Sequence, residues 1–277
     1  MHFRLLATDK KTNARCGELV TNHGLIETPV FMPVGTQATV KALSSNQLQE
    51  AGVSALLCNA YHLHLRPGED IIRDHGGLHG FMHWNRTIVT DSGGYQVFSL
   101  ADLNCVTNDG VVFKSPVDGS KKFLSPEKVM EIQHSLGADI IMAFDECLPY
   151  PCEKDRAEQS MYRTIGWAKR CLEVHQNEKQ SLFAIVQGSV FQDIREECAN
   201  RLVDMGFEGY ALGGLSVGEG NRLMNEVLEY TAPLLPREKP RYLMGVGFPE
   251  DILDGIEHGI DMFDCVMPTR NARNGTI

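Results

Sequence analysis

The sequence contains no long uninterrupted apolar run, which restricts where the protein is expected to work. Its first segment, MHFRLLATDKKTN, mixes charged and polar residues within the first ten positions. A secretory signal or a membrane-spanning helix requires a continuous apolar stretch, so this segment is predicted to be neither. We therefore expect a cytoplasmic protein that has no membrane partner.

Closely spaced cysteines are also missing. The eight cysteines are scattered singly along the 277 residues, and no two have the CxxC spacing. Disulfide frameworks and zinc knuckles both depend on cysteines at short spacings, so the pattern favours reduced thiols. The sequence predicts no metal ligand and no cofactor held within this chain.

Positive charge is scarce. The 26 basic residues are outnumbered by 36 acidic residues, and the formal net charge is -10. Nonspecific binding to nucleic acids depends on clustered lysines and arginines, because these displace the counterions of the phosphates. Any contact with a nucleic acid must therefore come from a small local group of basic residues.

Short apolar runs rich in Val, Ile and Phe alternate with helical patterns along the chain. We predict eight strands from these runs, at residues 30–34, 55–59, 88–91, 140–145, 182–187, 210–214, 242–247 and 262–267. Such an alternation is typical of βαβ units around a parallel sheet. The length suits one (β/α)8 barrel formed by residues 1–277, and a doubly wound sheet is the structural alternative.

One predicted helix has clear signals at both ends. Ser125 is a suitable N-cap, Pro126 suits the first helical position, and Glu127 complements the positive end of the helix dipole. Gly137 is the expected stop. Similar helices are predicted at residues 157–172, 194–205, 221–228 and 249–256. Residues 92–122 are too many for a minimal connection and are predicted to carry a hairpin insertion.

Three of the predicted strands carry an aspartate at or near their carboxyl ends, namely Asp91, Asp145 and Asp264. An uncompensated carboxylate after apolar residues is costly to desolvate, although a helix N-cap or a turn explains any single one equally well. The carboxyl ends of all strands meet at the active-site face of a (β/α)8 barrel, so three together indicate a site. Two carboxylates in different surroundings can act as nucleophile and proton donor, which suits substitution at a glycosidic carbon.

The polar groups near the third aspartate suit a purine-like ligand. Asp145, Gln187 and the glycine pair 213–214 offer an acceptor, an amide and a backbone that can be approached closely. These groups match the edge of a guanine-like base. Tyr95 can stack on such a ring while Met244 covers its other face, although both side chains can equally fill the upper layer of a barrel.

Six segments carry a resemblance to a known family, and they occur in the order TDSGGYQVFSL, DIIMAFDEC, IVQGS, YALGGLSVGE, RYLMGVG and IDMFDCVMPTRNARNG. Together they resemble the signature segments of bacterial-type tRNA-guanine transglycosylases, the queuine tRNA-ribosyltransferase family. The ordered set is specific and covers most of the chain. It implies a barrel enzyme that exchanges the wobble guanine of tRNAs with GUN anticodons for the queuosine precursor preQ1.

The resemblance also implies roles for individual residues. Asp264 matches the nucleophile that attacks the anomeric carbon of the ribose, and Asp91 matches the general acid and base. Arg270 and Arg273 match arginines that contact the uridines beside the target base, although a solvated loop is the plain alternative. The residues that match the base-binding set are Asp91, Tyr95, Asp145, Cys147, Gln187, Gly213, Gly214, Leu215 through its carbonyl group, and Met244.

Two pocket residues match the bacterial branch of the family. Bacterial members carry a Cys after the Asp-Glu pair and a Val in the loop after the sixth strand, as Cys147 and Val217 do here. Eukaryotic members instead open the pocket with a glycine for the bulkier base queuine. The resemblance therefore implies a pocket for preQ1.

The chain departs from the family pattern after the arginine segment. Full-length members continue with a zinc-binding subdomain, which has a CxCxxC run and a later His, and then with the eighth barrel helix. They form homodimers through a surface partly built from that region. The present chain ends at Ile277 without these cysteines. We therefore expect an incomplete barrel that binds no zinc, binds tRNA weakly and exchanges guanine poorly if at all.

Two other functions remain open at this point. A barrel glycosidase also needs two carboxylates, but sugar sites usually display aromatic platforms, and neither Trp84 nor Trp167 ends a predicted strand. A non-catalytic or remnant subunit of the same family would explain the short chain. The presence of both Asp91 and Asp264 favours an enzyme over such a subunit.

Overall fold

The computed structural model describes residues 1–100 and 104–276, which contain three sheets. Their strands are, in chain order, β1 (His2–Thr8), β2 (Arg15–Thr21), β3 (Gly24–Thr28), β4 (Val30–Pro33), β5 (Ala55–Cys58), β6 (Thr87–Thr90), β7 (Asn104–Thr107), β8 (Gly110–Lys114), β9 (Lys121–Leu124), β10 (Ile140–Met142), β11 (Ser181–Val186), β12 (Gly209–Leu212), β13 (Arg241–Leu243) and β14 (Met262–Cys265).

Eight of these strands form a parallel barrel. The hydrogen-bonded order is β4-β14-β13-β12-β11-β10-β6-β5, and a parallel bridge between Val34 and Leu57 joins the first strand to the last. All eight strands fall on the eight predicted runs, although each ends one to four residues earlier, where the chain turns away to form the site. The (β/α)8 barrel prediction is confirmed, and the doubly wound alternative is wrong because that sheet would stay open.

Helices alternate with the barrel strands. They are α1 (Ser45–Glu50), α2 (Ala60–Leu65), α3 (Glu69–Asp74), α4 (Gly77–Met82), α5 (Gly94–Leu100), α6 (Pro126–Leu136), α7 (Lys154–Val174), α8 (Gln192–Met205), α9 (Asn221–Thr231), α10 (Pro249–Glu257) and α11 (Met267–Arg273), with a 3-10 turn at Ala232–Leu234. The end signals of α6 are confirmed: the Ser125 hydroxyl accepts a hydrogen bond from the Lys128 N–H, and the backbone of Gly137 has the left-handed conformation.

Within the described residues, no helix has the length and apolar content needed to cross a membrane.

The predicted insertion between β6 and α6 is present. It contains α5 and the antiparallel sheet β7-β8-β9, in which β7 and β8 form the expected hairpin and β9 adds a third strand. Residues 101–103 of this segment lie outside the described residues. The insertion adds Val111 and Phe113 to the core beside the barrel, so it is packed against the fold.

The sheet β1-β2-β3 was not predicted, and it closes the end of the barrel at which the strands begin. Phe3, Leu19 and Ile26 on one of its faces are buried together with the apolar residues of the barrel interior. The Thr21 hydroxyl lies 2.8 Å from that of Thr87, the first residue of β6. Because this end is closed, ligands reach the barrel from its other end.

A buried carboxylate, that of Asp139, joins the first sheet to the barrel. His23 donates to its Oδ1 at 2.7 Å, while His79 and the Ile88 N–H donate to its Oδ2 at 3.1 and 3.0 Å. The two imidazole rings stack with their centroids 3.5 Å apart. Burial raises the pKa of Asp139, but the hydrogen bonds from His79, His23 and Ile88 outweigh it, so the pKa lies below its ordinary value and the carboxylate is ionised.

We expect Asp139→Asn to lower the free energy of unfolding by about 1–3 kcal/mol at neutral pH, because the amide nitrogen cannot accept the bonds that the carboxylate accepts. The folded-state pKa is depressed, so this contribution is present above the unfolded-state value of about 3.8 and is lost as the pH falls below it. Urea unfolding at neutral pH and at about pH 3 measures the difference. The exposed Asp74→Asn is the matched control, and an equal loss at both pH values would contradict the assignment.

Candidate active site

A cavity of about 570 Å³ opens at the carboxyl ends of the barrel strands. The ten residues predicted for catalysis or base binding all line it: Asp91, Tyr95, Asp145, Cys147, Gln187, Gly213, Gly214, Leu215, Met244 and Asp264. They belong to β14 or to the segments that follow β6, β10, β11, β12 and β13. These six strands are consecutive hydrogen-bonded neighbours in the barrel. The parallel arrangement therefore brings together residues that are far apart in sequence.

The side chain of Asp264, in β14, is oriented by two donors. The Tyr242 hydroxyl donates to its Oδ1 at 2.5 Å, and the Gly245 N–H donates to the same oxygen at 2.9 Å. Burial raises the pKa of Asp264 above its ordinary value, whereas these two hydrogen bonds lower it. Neither bond uses Oδ2, so this oxygen keeps its lone pairs for a reacting group.

Asp91 is held differently, by residues that follow β5. The Asn59 amide donates to Oδ2 at 2.6 Å, and the Ala60 N–H donates to Oδ1 at 2.8 Å. Burial raises the pKa of Asp91 to about 6; the charge of Asp264 adds to this rise, and the hydrogen bonds oppose it. Both protonation states are accessible near neutral pH, as a group that gives and takes a proton requires.

Asp145 is the centre of a third hydrogen-bond network. The Ser92 hydroxyl donates to its Oδ1 at 2.6 Å, and the Gln187 amide donates to its Oδ2 at 2.8 Å. Burial raises the pKa of Asp145, and these two hydrogen bonds oppose the rise. A Cβ at Gly94 would lie 2.5 Å from the Asp145 carbonyl oxygen and 2.6 Å from its Oδ1, so only glycine leaves this carboxyl group in place. The network forms a fixed polar wall of the cavity.

The glycine pair after β12 forms the adjacent wall. Gly214 has φ +65°, and a Cβ there would lie 2.5 Å from the Gln187 Oε1. The backbone therefore packs directly on the amide. Leu215 and Cys147 are buried beside it, and burial raises the pKa of the Cys147 thiol to about 12. This cysteine is neutral at physiological pH and shapes the wall without acting as a thiolate.

Two less buried side chains complete the cavity. Tyr95 lies on α5 with about half of its surface exposed (54%), and Met244 follows β13 and is half-buried. Both line the cavity. An exposed aromatic ring beside a buried polar wall has the form of a stacking platform for a flat ligand.

The two predicted RNA-contacting arginines lie beside the cavity but do not line it. Arg270 and Arg273 are exposed on α11, the short helix that a single residue separates from β14. The Arg273 guanidinium donates to the Lys41 carbonyl oxygen at 3.4 Å. They extend from the strand that carries Asp264, on the open face of the barrel.

Sequence patterns missed three residues that hold the carboxylates. Asn59 ends a predicted strand and Ser92 follows another, so their position after an apolar run was a usable signal. Tyr242 lies inside an apolar run and is fully buried, so nothing local distinguishes it from a core residue. Only the pairing of β13 with β14 brings its hydroxyl to Asp264.

The segment YHLH contains two histidines, His62 and His64. Both lie on α2, where His64 forms a 2.7 Å hydrogen bond with Glu69 and has a structural role. His62 instead lines the cavity, and burial lowers its pKa.

The described residues do not form the cysteine-bound zinc site of the resembled family. Their one group of three potential ligands is His23, His79 and Asp139, with ligand atoms within 4.8 Å of one another. It lies at the amino ends of the strands, far from the cavity. Its contacts of 2.7 and 3.1 Å are also shorter than the separation of about 3.3 Å expected for two ligands of tetrahedral zinc.

Comparison with known proteins connects this geometry to a family. Residues 9–277 match the family model described as Queuine tRNA-ribosyltransferase. The chain is 60% identical over 276 residues to the queuine tRNA-ribosyltransferase of Caldanaerobacter subterraneus, covering 99% of this chain and 74% of that protein. The chain belongs to this family. The relatives from Thermoanaerobacter pseudethanolicus and Acetivibrio thermocellus, of the same name, are 58% and 57% identical, cover 99% and 100% of this chain, and are each covered over 74% of their length.

Membership of the queuine tRNA-ribosyltransferase family confirms the resemblance drawn from the six sequence segments. The family is one of enzymes that transfer a pentosyl group, so the glycosidase alternative is wrong. The two activities look alike in sequence because each needs a pair of carboxylates at a glycosidic carbon.

Proposed function

We propose that this chain exchanges the wobble guanine of tRNA for preQ1 through a covalent bond between Asp264 and the ribose. The observation that carries the proposal is the pair of buried carboxylates, Asp91 and Asp264, in one cavity. Each has its own hydrogen-bond donors, and the charge of Asp264 raises the pKa of Asp91. Two carboxyl groups coupled in this way can divide the roles of nucleophile and proton carrier.

The exchange has two half-reactions. In the first, an Asp264 oxygen bonds to the anomeric carbon while the bond to guanine breaks; the guanine nitrogen keeps the electron pair and takes a proton from Asp91. In the second, Asp91 takes a proton from the incoming base, whose nitrogen bonds to the carbon as the ester to Asp264 breaks. Both carboxyl groups return to their starting states. No oxidation state changes, so we propose that the exchange uses no redox cofactor.

The wall around Asp145 supports recognition of a guanine-like base. A carboxylate only accepts hydrogen bonds, and the adjacent ring N–H and amino group of guanine only donate them. Gln187, which is fixed by its bond to Asp145, adds an amide. The Leu215 carbonyl group adds an acceptor, and the Gly214 N–H adds a donor for the carbonyl oxygen of the base. The same donors and acceptors occur on preQ1, so one pocket suits both bases.

The exposed residues at the cavity mouth suit the remaining contacts. We propose that Tyr95 and Met244 cover the two faces of the base, since both line the cavity beside the polar wall. We also propose that Arg270 and Arg273 contact the uridines next to the target base, because α11 follows directly on the strand that carries Asp264. With a net charge of -10, such local contacts must supply most of the attraction to RNA.

We expect the chain to incorporate labelled preQ1 into a tRNA with a GUN anticodon at least about tenfold faster than labelled queuine, because Val217 and Cys147 narrow the cavity beside the base wall. Val217→Gly is expected to admit queuine and to leave preQ1 incorporation nearly unchanged. Comparable rates for both bases in the unaltered chain would contradict the choice of preQ1. No exchange with any base, together with normal tRNA binding, would instead indicate a non-catalytic member of the family.

A further inference from the structure

Arg195, on α8, is a buried cation without a carboxylate partner. Its side chain has no exposed surface. In the part of the chain that the structure describes, no Asp or Glu oxygen lies within the 4.0 Å of an ion pair with its guanidinium. Burying an unpaired charge is unfavourable, so its position calls for a specific role.

The guanidinium is bound by backbone carbonyl groups at the ends of two adjacent barrel strands. Its Nε donates to Ser189 O at 2.6 Å, its Nη1 to Val186 O at 3.5 Å and its Nη2 to Gly213 O at 2.8 Å. A Cβ at Gly188 would lie 2.8 Å from the Arg195 Cγ, so glycine there makes room for the side chain. Arg195 therefore ties the end of β11 to the end of β12, directly behind the base-binding wall.

The bond to Gly213 O sets the direction of the next N–H group. In a trans peptide the C=O and N–H point in opposite directions, so the Gly214 N–H points away from Arg195. It points toward the cavity and the Cys147 thiol, where it opposes the rise of the thiol pKa that burial causes. The positive charge of Arg195 opposes the same rise by a smaller amount.

We propose that Arg195 is a positioning residue for the base: it orients and polarises the peptide between Gly213 and Gly214, and so strengthens the N–H offered to the carbonyl oxygen of guanine or preQ1. A cation at the oxygen of a peptide draws electron density toward that oxygen and makes the N–H more positive. The inference rests on the proposed function, because it assumes that a base with this carbonyl oxygen occupies the cavity.

The test compares two ligands, one of which lacks that oxygen and, with it, the adjacent ring N–H. The loss of the N–H is the same for every variant, so it cancels when variants are compared. Calorimetric titration measures the Kd of deazaguanine and of its analogue in which hydrogen replaces the carbonyl oxygen. The Kd of the analogue divided by the Kd of deazaguanine is the carbonyl preference. We expect Arg195→Met to reduce it by roughly tenfold, and Arg195→Lys by roughly threefold because an ammonium keeps the charge but cannot bind three carbonyl groups. Arg201→Met, an exposed arginine on the same helix, is the matched control and should not change it.

The carbonyl preference separates positioning from simple structural support. If Arg195 only stabilises the fold, both ligands lose affinity equally and the ratio stays at the unaltered value, which would overturn the proposal. If Arg195→Met does not fold, the Arg195→Lys variant alone provides the test. A carbonyl preference of Arg195→Lys that equals that of the unaltered chain within error also overturns the proposal. Failure of the proposed base recognition, on which the inference rests, gives a different result, because the unaltered chain would then bind neither ligand.

Discussion

Asp264→Asn should form no covalent adduct with RNA and should exchange guanine at least about ten thousand times more slowly than the unaltered chain. The amide is neutral and cannot provide the negatively charged oxygen that attacks the anomeric carbon. Incubation with an anticodon stem-loop and a slowly reacting deazaguanine ligand traps the intermediate, which is then visible as a band that resists a denaturing gel. The exposed Asp70→Asn is the matched control and should form the adduct normally.

The same gel also distinguishes the two aspartates. If Asp264→Asn still forms the adduct while Asp91→Asn does not, the roles proposed for them are reversed. Unfolding does not account for a lost adduct, because burial raises the pKa of Asp264 and its ionised form is disfavoured in the folded state. The asparagine variant should therefore melt at the same or a higher temperature.

Asp91→Asn is expected to slow guanine release by about 10²–10⁴-fold, since an amide cannot give a proton to the leaving base. The pKa of Asp91 is about 6, so in the unaltered chain the rate of the first half-reaction should fall as the pH rises through that value. Above it, a loss of about tenfold per pH unit is expected. Single-turnover release of labelled guanine across this range measures the effect.

The variant supplies the decisive comparison for that pH dependence. In Asp91→Asn the decline with a midpoint near pH 6 should disappear and leave a slow, nearly flat rate over the same range. A decline that persists in the variant would assign the titration to another group.

Asp91 also affects the stability of the fold. Its folded-state pKa is raised from 3.8, so the free energy of unfolding falls as the pH rises from about 4 to about 6. The Asp91→Asn variant should not show this loss.

Several parts of the fold could be predicted because their signals are local. The end signals of α6 lie within a few residues of the helix ends, and the structure places the helix at Pro126–Leu136 as expected. The barrel strands are buried on both faces, so each appears as a continuous apolar run. The first sheet had no such signal. Leu6, Val20 and Leu25 are exposed while Leu19 and Ile26 are buried, so apolar residues on both faces hide the period of two that marks a half-buried strand.

The sequence by itself determined the alternation of strands and helices and the residues at the strand ends, because hydrophobic period and end signals act over short distances along the chain. Only the tertiary structure decided which groups hold those residues. Tyr242 reaches Asp264 from 22 positions away, and Arg195 reaches Gly213 from 18. Such bonds depend on which strands become neighbours when the barrel closes, and burial then sets the pKa values. Neither the partner nor the pKa of a side chain can be read from its neighbours in sequence.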